Sequence, residues 1–296
     1  MFNGLWETIR GSLSLSLYFL NTIFWCIPLF ALVIAKAVIP VEAWRRRCTR
    51  MLNAIAENWI WVNNQNQKMV GNTCWEVQGV ENLERSDWYL VLANHQSWVD
   101  ILVLQRIFHK KIPFLKFFIK KELIWFPVLG QAWWAMDFPF VKRYSKNYLR
   151  KNPHLKGKDL EITRKACQKF RKIPISIMNF VEGTRFTSEK HRQQQSPYDH
   201  LLKPRAGGIA YVLDSMAEQI HRVLDVTIVY PDGKTSFWAL VCGKIQRIKV
   251  RVRSLPVGPE LLGDYANDGQ FRSRLQSWLN NLWEEKNQCM KEMLAS

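Results

Sequence analysis

The chain has 296 residues, 14 of them tryptophan, and a formal net charge of +17 from 42 basic and 25 acidic residues. An excess of this size requires an anionic partner, and nucleic acid and anionic lipid both qualify. The sequence carries no nucleic-acid-binding motif of recognised spacing, and its six cysteines form neither a C-x-x-C pair nor a zinc pattern. The composition therefore argues against a disulfide framework and favours anionic lipid over nucleic acid.

An uncharged apolar run lies near the start of the chain. Residues 11–35 contain no charged side chain, and apolar residues continue to about position 41 with Lys36 as the interruption. A bilayer span needs about 20 apolar residues, so the run is long enough, although Asn21 and Pro28 leave room for a re-entrant hairpin. A cleaved signal peptide is less favoured, because the positive charge follows the run instead of preceding it.

Positive charge collects after this run, since Arg10 alone precedes it. The basic residues that follow the run are Lys36, Arg45, Arg46, Arg47 and Arg50. The positive-inside bias predicts that the rest of the chain lies in the cytoplasm. Trp59 and Trp61 come next, and indole rings beside cations are typical of a bilayer interface. We therefore expect residues 1–70 to form a membrane-anchoring helical segment with a connector, and residues 71–296 to form one domain.

A histidine and a carboxylate, His95 and Asp100, follow the apolar run at residues 88–92. That run does not alternate, which predicts a strand buried on both faces, and a helix is expected from Val99 to Phe108. His95 would then lie on a strand-to-helix turn, at the sheet edge where α/β proteins bind ligands. A carboxylate that orients an imidazole makes it a base for a hydroxyl. The alternative is a histidine that caps a turn and a carboxylate that favours a helix N-terminus.

Tryptophans also stand in a second apolar segment, over residues 117–134, where Trp125, Trp133 and Trp134 occur. Such side chains either contact lipid or form ordinary core. The sequence leaves both interpretations open.

A second polar tetrapeptide follows the strand-like run at residues 175–181. It consists of Glu182, Gly183, Thr184 and Arg185. The carboxyl ends of parallel strands share one edge of a sheet, so we expect this turn to lie beside the His95 turn. Arginine is the natural fork for a phosphate, and glycine lets the backbone approach a ligand closely. The pattern predicts a phosphate-bearing substrate, with a Glu/Arg surface pair on an ordinary turn as the alternative.

Three further patterns lie toward the end of the chain. Lys203 opens a basic, glycine-containing segment over residues 203–208, which is a weak signal for a phosphate site at a helix start. Residues 247–253 alternate apolar and basic side chains, which predicts a strand whose cations protect a sheet edge or face an anionic ligand. Apolar residues recur at helical spacing from Phe271 to Trp283 and predict a helix packed on the domain.

These patterns together predict an α/β fold. Strands are expected near Trp75, Trp88, Met136, Ile175, Val226 and Ile248. Helices are expected near Ile101, Leu123, Ile162, Ile209 and Leu275. The expected architecture is a mixed, mostly parallel sheet flanked by helices and preceded by the N-terminal membrane-anchoring segment.

The two polar turns resemble, in order and spacing, the H-x4-D and E-G-T-R signatures of the glycerolipid acyltransferases typified by 1-acylglycerol-3-phosphate acyltransferase. Residues 121–130 resemble the family's K-x-L-x-x-x-P-x-x-G region, and residues 140–143 resemble its arginine-ended strand. The resemblance covers roughly residues 75–231, and the insertion over residues 144–158 resembles a bacterial inner-membrane branch of the family.

This resemblance implies that His95 is a general base oriented by Asp100. It implies transfer of a fatty acyl group from an acyl thioester to the free hydroxyl of lysophosphatidic acid. The implied substrate-binding residues are Glu182, Gly183, Thr184 and Arg185, with Arg143, Lys121 and Lys203 as further candidates. No cofactor or metal is implied, and the co-substrate would be acyl-CoA or an acyl carrier protein thioester.

The sequence departs from the family pattern at two places. The fourth block usually reads V-P-I-V-P, whereas residues 226–231 read V-T-I-V-Y-P, and Phe186 follows Arg185 where many relatives carry a small polar residue. Two alternatives therefore stay open. One is an acyltransferase for another lysophospholipid or a non-phosphate acceptor, and the other is a non-catalytic, basic membrane-binding protein.

Overall fold

A computed structural model describes residues 2–71, 73–141, 167 and 173–296, and the elements are numbered within that part of the chain. The strands are β1 (Cys74–Gln78), β2 (Tyr89–Ala93), β3 (Leu115–Phe117), β4 (Ile119–Lys120), β5 (Phe140–Val141), β6 (Ser176–Phe180), β7 (Arg222–Val229) and β8 (Arg247–Pro256). The helices are α1 (Phe2–Val38), α2 (Glu42–Val70), α3 (Val99–Phe108), α4 (Leu129–Ala135), α5 (Ser188–Gln194), α6 (Gly207–Met216), α7 (Phe237–Val241) and α8 (Gly269–Ala295). Short 3-10 turns cover Lys121–Trp125 and Pro259–Leu261.

Six of these strands form one sheet, in the order β1-β8-β7-β2-β6-β3. Neighbouring strands run parallel except β7 and β8, which are antiparallel. The central strand β2 is buried at all five positions, as its continuous apolar sequence predicts. The predicted mixed, mostly parallel sheet is confirmed.

Helices cover both faces of this sheet. The apolar face of α3, with Val99, Val103 and Leu104, packs with β2, β7 and β8 in one buried cluster. Helices α6 and α8 pack in a second cluster on the opposite side, where Leu213 and Trp283 are buried. The sheet is therefore a middle layer, and its strand ends are the places where side chains can emerge from the core.

Several sequence predictions can be compared with these elements. The helix from Val99 to Phe108 has the predicted bounds, and the predicted C-terminal packing helix is α8. The prediction of a strand near Met136 is wrong, because Met136 is the C-cap residue of α4 and the next strand begins at Phe140. The helix predicted near Leu123 is a 3-10 turn, and the one predicted near Ile162 lies outside the described residues.

One interpretation of the alternating sequence of β8 was an edge strand, and this interpretation is wrong. The strand lies between β1 and β7, so its charges do not protect an open edge. Two of its cations face α8 instead: Arg251 lies 3.4 Å from Glu292, and Arg253 lies 2.7 Å from Glu285. Alternation predicts a two-faced strand, but it does not say what covers each face.

A buried lysine joins α8 to the sheet. Lys286 is fully buried, and its Nζ lies 2.6 Å from Asp225 Oδ1 on β7 and donates to the Val226 carbonyl at 2.6 Å. Arg253 completes the cluster, with Nη2 at 2.7 Å from Asp225 Oδ2. Burial lowers the pKa of Lys286, whereas the Asp225 carboxylate opposes that change. Removal of one partner would leave an unpaired buried charge, so this cluster fixes α8 against the sheet.

The N-terminal helices α1 and α2 form a hairpin whose polar residues face inward. Asn21 Nδ2 donates to Asn63 Oδ1 at 2.8 Å, and Ser14 Oγ donates to Asn66 Oδ1 at 3.1 Å. The opposite side of α1 is apolar and exposed, with Phe24 exposed to 62%. By length and composition α1 is apolar enough to cross a membrane. Polar residues inside and apolar residues outside are the pattern of a helix pair in contact with lipid.

Both ends of α1 contact the α/β domain. Near its start, Glu7 pairs with Lys244 at 2.8 Å and Arg10 donates to the Cys242 carbonyl at 2.6 Å. Near its end, Lys36 pairs with Asp137 at 3.1 Å. These ion pairs are about 44 Å apart along the helix, at 1.5 Å per residue. The helix therefore lies along the surface of the domain.

Candidate active site

The two predicted polar turns lie side by side. Strands β2 and β6 are parallel neighbours, and the register places Ala93 opposite Phe180. The residues that follow these two positions therefore emerge at the same edge of the sheet. The backbone N–H of Phe186 donates to the His95 carbonyl at 2.7 Å, which joins the two turns directly.

His95 and Asp100 form a hydrogen-bonded pair. Nδ1 of His95 lies 2.9 Å from Oδ2 of Asp100, which is fully buried, while the His95 side chain keeps 13% of its surface exposed. The ring stacks on Phe180 with 3.7 Å between centroids and an interplanar angle of 12°. Because Nδ1 is engaged by the carboxylate, Nε2 is the nitrogen left for a substrate.

Asp100 accepts three further hydrogen bonds. The backbone N–H groups of Gln96 and Ser97 donate to its Oδ2 at 2.6 and 2.8 Å, and the Tyr230 hydroxyl donates to its Oδ1 at 2.7 Å. Burial and the adjacent Asp100 carboxylate raise the pKa of Tyr230 well above its usual value, so the phenol stays protonated and remains a donor. These donors hold the carboxylate in one orientation, which in turn fixes the imidazole.

The buried Glu182 side chain links the second turn to the backbone of the His95 turn. Its two oxygens accept from the His95 N–H at 3.2 Å and from the Leu202 N–H at 3.0 Å. Burial raises the pKa of Glu182 to about 8, although those two amides and the charge of Lys286 oppose the change. These contacts show that the Glu182 side chain holds the backbone of His95 and Leu202 in position. The resemblance predicted a substrate-binding role for this residue.

The other residues of the second turn lie nearer the surface. Gly183 has a φ of +72°, a conformation that L side chains rarely adopt, so this turn favours glycine. Arg185 is exposed, and its guanidinium carbon lies 5.1 Å from the centroid of the Trp98 ring. Lys190 adds a second cation, because its Nζ donates to Thr184 Oγ1 at 2.8 Å and to the Arg185 carbonyl at 3.1 Å.

The basic segment at residues 203–208 reaches the same edge. Leu202 bonds Glu182, and the Arg205 N–H donates to the Val181 carbonyl at 2.9 Å. The side chains of Lys203 and Arg205 are exposed, and α6 begins directly afterwards at Gly207. The structure thus brings the segment that contains Lys203 beside the second turn, and the phosphate-binding role of Lys203 stays a prediction.

The last two predicted residues are Lys121 and Arg143. Lys121 lies at the start of a 3-10 turn with its side chain exposed. In the part of the chain described, no hydrogen bond or ion pair joins it to either polar turn. Arg143 lies outside the described residues. The binding roles of both residues stay predictions.

Three contributors were missed by the sequence reasoning: Tyr230, Phe180 and Lys190. For Tyr230 a signal existed, since it stands in the block that departs from the family pattern. That block is held beside the histidine turn by Asn94, whose amide bonds both the N–H and the carbonyl of Ile228 at 2.9 Å. Among the described residues, no group of three or more His, Cys, Asp or Glu side chains forms a candidate metal site.

A histidine–aspartate pair and a group of cations lie at one edge of this α/β sheet, the edge where such sheets bind ligands. Residues 74–234, which include both polar turns, match the family model described as Acyltransferase. The match covers more than half of the 296 residues, so the chain belongs to this acyltransferase family.

Curated relatives and a solved structure agree with this assignment. Human 1-acyl-sn-glycerol-3-phosphate acyltransferase delta is 25% identical over 216 residues, which are 69% of this chain and 52% of the human protein. The gamma protein of Mus musculus is 23% identical over 217 residues, with the same coverage. The chain thus spans about half the length of the curated relatives it matches.

The crystal structure of the 1-acyl-sn-glycerophosphate acyltransferase PlsC from Thermotoga maritima superimposes with a TM-score of 0.54 at 18% identity, over 98% of both chains. This likeness shows a common fold, including the N-terminal helices. The predicted bacterial inner-membrane branch stays a prediction.

Proposed function

We propose that this protein transfers a fatty acyl group from an acyl thioester to the free hydroxyl of 1-acyl-sn-glycerol 3-phosphate, which yields phosphatidic acid. The observation that carries the proposal is the His95–Asp100 pair, at 2.9 Å, on the same sheet edge as Arg185. A base for a hydroxyl and a cation for a phosphate are the two groups that this reaction requires.

In the proposed reaction, His95 Nε2 takes the proton of the acceptor hydroxyl while Asp100 stabilises the imidazolium that forms. The hydroxyl oxygen attacks the thioester carbonyl, the C–S bond then breaks, and the imidazolium returns the proton to the departing thiolate. No covalent acyl-enzyme is needed. General base catalysis of this kind contributes ~10²–10⁴-fold, and the fixed positions of both substrates contribute further.

The acceptor phosphate would lie against the cations of the second turn. Arg185 offers a planar fork of donors, and Lys190 and Lys203 add point charges nearby. The acyl donor would be acyl-CoA or an acyl carrier protein thioester.

The N-terminal helix would attach the enzyme to a membrane in the plane of the bilayer. Ion pairs at both ends hold α1 against the domain, and its outer face is apolar, so insertion into one leaflet satisfies both observations. The arginine-rich start of α2 would face anionic headgroups on the cytoplasmic side of a bacterial inner membrane.

An acyl-transfer assay on the purified full chain tests this proposal. His95→Ala should abolish transfer of a labelled acyl group to lysophosphatidic acid, whereas His200→Ala, at an exposed histidine away from the pair, should not change it. Retained turnover in a correctly folded His95→Ala protein would refute the mechanism. If the wild-type chain transfers no acyl group to any lysophospholipid or to monoacylglycerol, the non-catalytic alternative holds.

Competition between acceptors tests the substrate. With equal amounts of lysophosphatidic acid and uncharged monoacylglycerol, the phosphate-bearing acceptor should be consumed first. Preference for monoacylglycerol, or for a lysophospholipid with a substituted phosphate, would refute lysophosphatidic acid as the acceptor and identify the preferred lipid in its place.

A further inference from the structure

A group of large apolar side chains lies exposed between β4 and β5, outside the site described above. Trp125, Phe126, Val128 and Trp134 are exposed to 82%, 50%, 40% and 62%, and we call this group the aromatic edge. Contiguous exposed apolar side chains are unusual on a soluble monomer and mark a surface that another phase or partner covers.

The backbone under the aromatic edge is tightly folded. Leu129 N–H donates to the Pro127 carbonyl at 2.7 Å across Val128, whose φ of +65° is rare for a β-branched residue. Gly130 is packed so closely that an added Cβ would lie 2.3 Å from the Ile124 carbonyl oxygen. The exposure of these side chains is therefore a property of an ordered turn, held at a cost in backbone strain.

The segment that carries the aromatic edge packs against α1. Helix α4 contributes Ala132 and Ala135 to a buried cluster with Cys26 and Leu29 of α1. The pair between Lys36 and Asp137, at 3.1 Å, fixes the same two segments. The exposed apolar side chains of α1 and those of the aromatic edge therefore belong to two segments that pack directly against each other near the C-terminal end of α1.

Exposed cations stand beside this surface. Lys120 and Lys121 precede Trp125 by five and four positions and are exposed, and Lys120 lies 3.7 Å from the Glu122 carboxylate. The arginines of α2, at positions 45–47 and 50, are exposed beyond the end of α1. Tryptophan with lysine or arginine is the combination that settles at the level of lipid headgroups.

We propose that the aromatic edge is a second membrane-inserting element, with its tryptophans at the headgroup boundary of the same leaflet that receives α1. The partner is a lipid bilayer with anionic headgroups. The inference rests on the membrane attachment of α1 proposed above. It extends that attachment from one helix to a surface with two separated points, which would fix how the domain is rotated on the membrane.

Depth measurements at single labelled cysteines test this proposal in the full chain. Cys74 is exposed and Cys289 is half-buried, so both are first replaced by serine, while the other four cysteines are buried and stay. One cysteine is then introduced by Trp125→Cys, Phe24→Cys or Leu262→Cys. Phe24 reports on α1, and Leu262 is an exposed apolar residue beside α8. Each protein carries an environment-sensitive fluorophore and is reconstituted in vesicles of phosphatidylethanolamine and phosphatidylglycerol.

The label at position 125 should be quenched by lipids with brominated acyl chains, and iodide in solution should quench it several-fold less than the label at 262. The label at 24 should behave like the one at 125. Trp134→Cys serves as a second variant with the same expectation, in case the first does not fold.

The remaining outcomes overturn the proposal in distinguishable ways. If position 24 lies in lipid while 125 and 134 stay accessible to iodide, α1 inserts and the aromatic edge does not. If position 24 is also accessible to iodide, the proposed membrane attachment itself fails. If 125 is shielded from iodide but not quenched by brominated lipid, protein covers the edge, for example a second copy of the chain.

Discussion

The turn after β2 and the turn after β6 start from adjacent positions of neighbouring strands, yet they are built in opposite ways. In the first, Asp100 is completely buried and receives four hydrogen bonds, including the one from His95. In the second, Arg185 is exposed and touches the face of Trp98. A base must hold one tautomer and one orientation, whereas a ligand-binding cation must reach a substrate that arrives from outside.

Asp100→Asn tests the rigid turn and should have the largest effect on catalysis. The amide would keep the shape of the side chain but lose the negative charge that stabilises the imidazolium. We expect kcat to fall by about 10²-fold or more, since general base catalysis contributes ~10²–10⁴-fold. Steady-state kinetics of the purified variant measure this effect, with Asp214→Asn on α6 as the control. An unchanged kcat would mean that the pair is structural.

Arg185→Ala tests the exposed turn. A hydrogen bond to a charged group is worth ~1.5–3 kcal/mol, so KM for lysophosphatidic acid should rise about ten-fold or more with a smaller change in kcat. Arg192→Ala removes an equally exposed arginine from α5 and is the matched control. If KM changes equally in both variants, the effect is general surface charge, and the specific phosphate contact is refuted.

Glu182→Gln tests the buried carboxyl that links the two turns, through the pH dependence of thermal stability. The pKa of Glu182 is raised from 4.5 to about 8, so the folded state holds this proton more tightly than the unfolded state does. Its contribution to stability is therefore fully present below about pH 4.5 and is lost as the pH rises through 8.

Glutamine does not titrate, so the difference in Tm between wild type and Glu182→Gln should shift in favour of the variant as the pH is raised from 5 toward 8. Thermal unfolding of both proteins in matched buffers measures it. Parallel curves for the two proteins would show that the carboxyl is not protonated in this range.

Tyr230→Phe should have the smallest effect. It removes the hydroxyl that donates to Asp100 at 2.7 Å and leaves the ring in place. The carboxylate, with one donor fewer, would orient the imidazole less firmly, so kcat should fall by less than about ten-fold, which corresponds to about 1.4 kcal/mol. Steady-state kinetics of the purified variant measure this effect. A loss as large as that of Asp100→Asn would contradict this ranking.

The position of both turns was predictable from local sequence. The apolar run before His95 and the run before Glu182 predict two buried strands, and parallel strands bring their ends to one edge. The bounds of α3 followed from its apolar spacing, because periodicity and burial act within a few turns of a helix.

The contacts that complete the site could not be predicted in this way. Tyr230 lies 130 residues from Asp100, and only the pairing of β7 with β2 brings them together. The family resemblance implies a substrate-binding role for both Glu182 and Arg185. In the structure Glu182 is buried on backbone amides, whereas Arg185 is exposed. The alternation of β8 predicts a protected sheet edge or an anionic ligand at its basic face, whereas Glu285 and Glu292 of α8 pair with Arg253 and Arg251 there.

The buried Lys286 has a consequence for biosynthesis. Every strand of the sheet precedes α8 in the chain, so Asp225 is made before the helix that supplies its lysine partner. Until that helix docks, a nascent chain has an acidic group in its half-formed interior and an uncovered apolar sheet face. This face of the sheet therefore stays uncovered until α8 has been synthesised and has docked. A chain released without α8 would expose the face to chaperones and proteases.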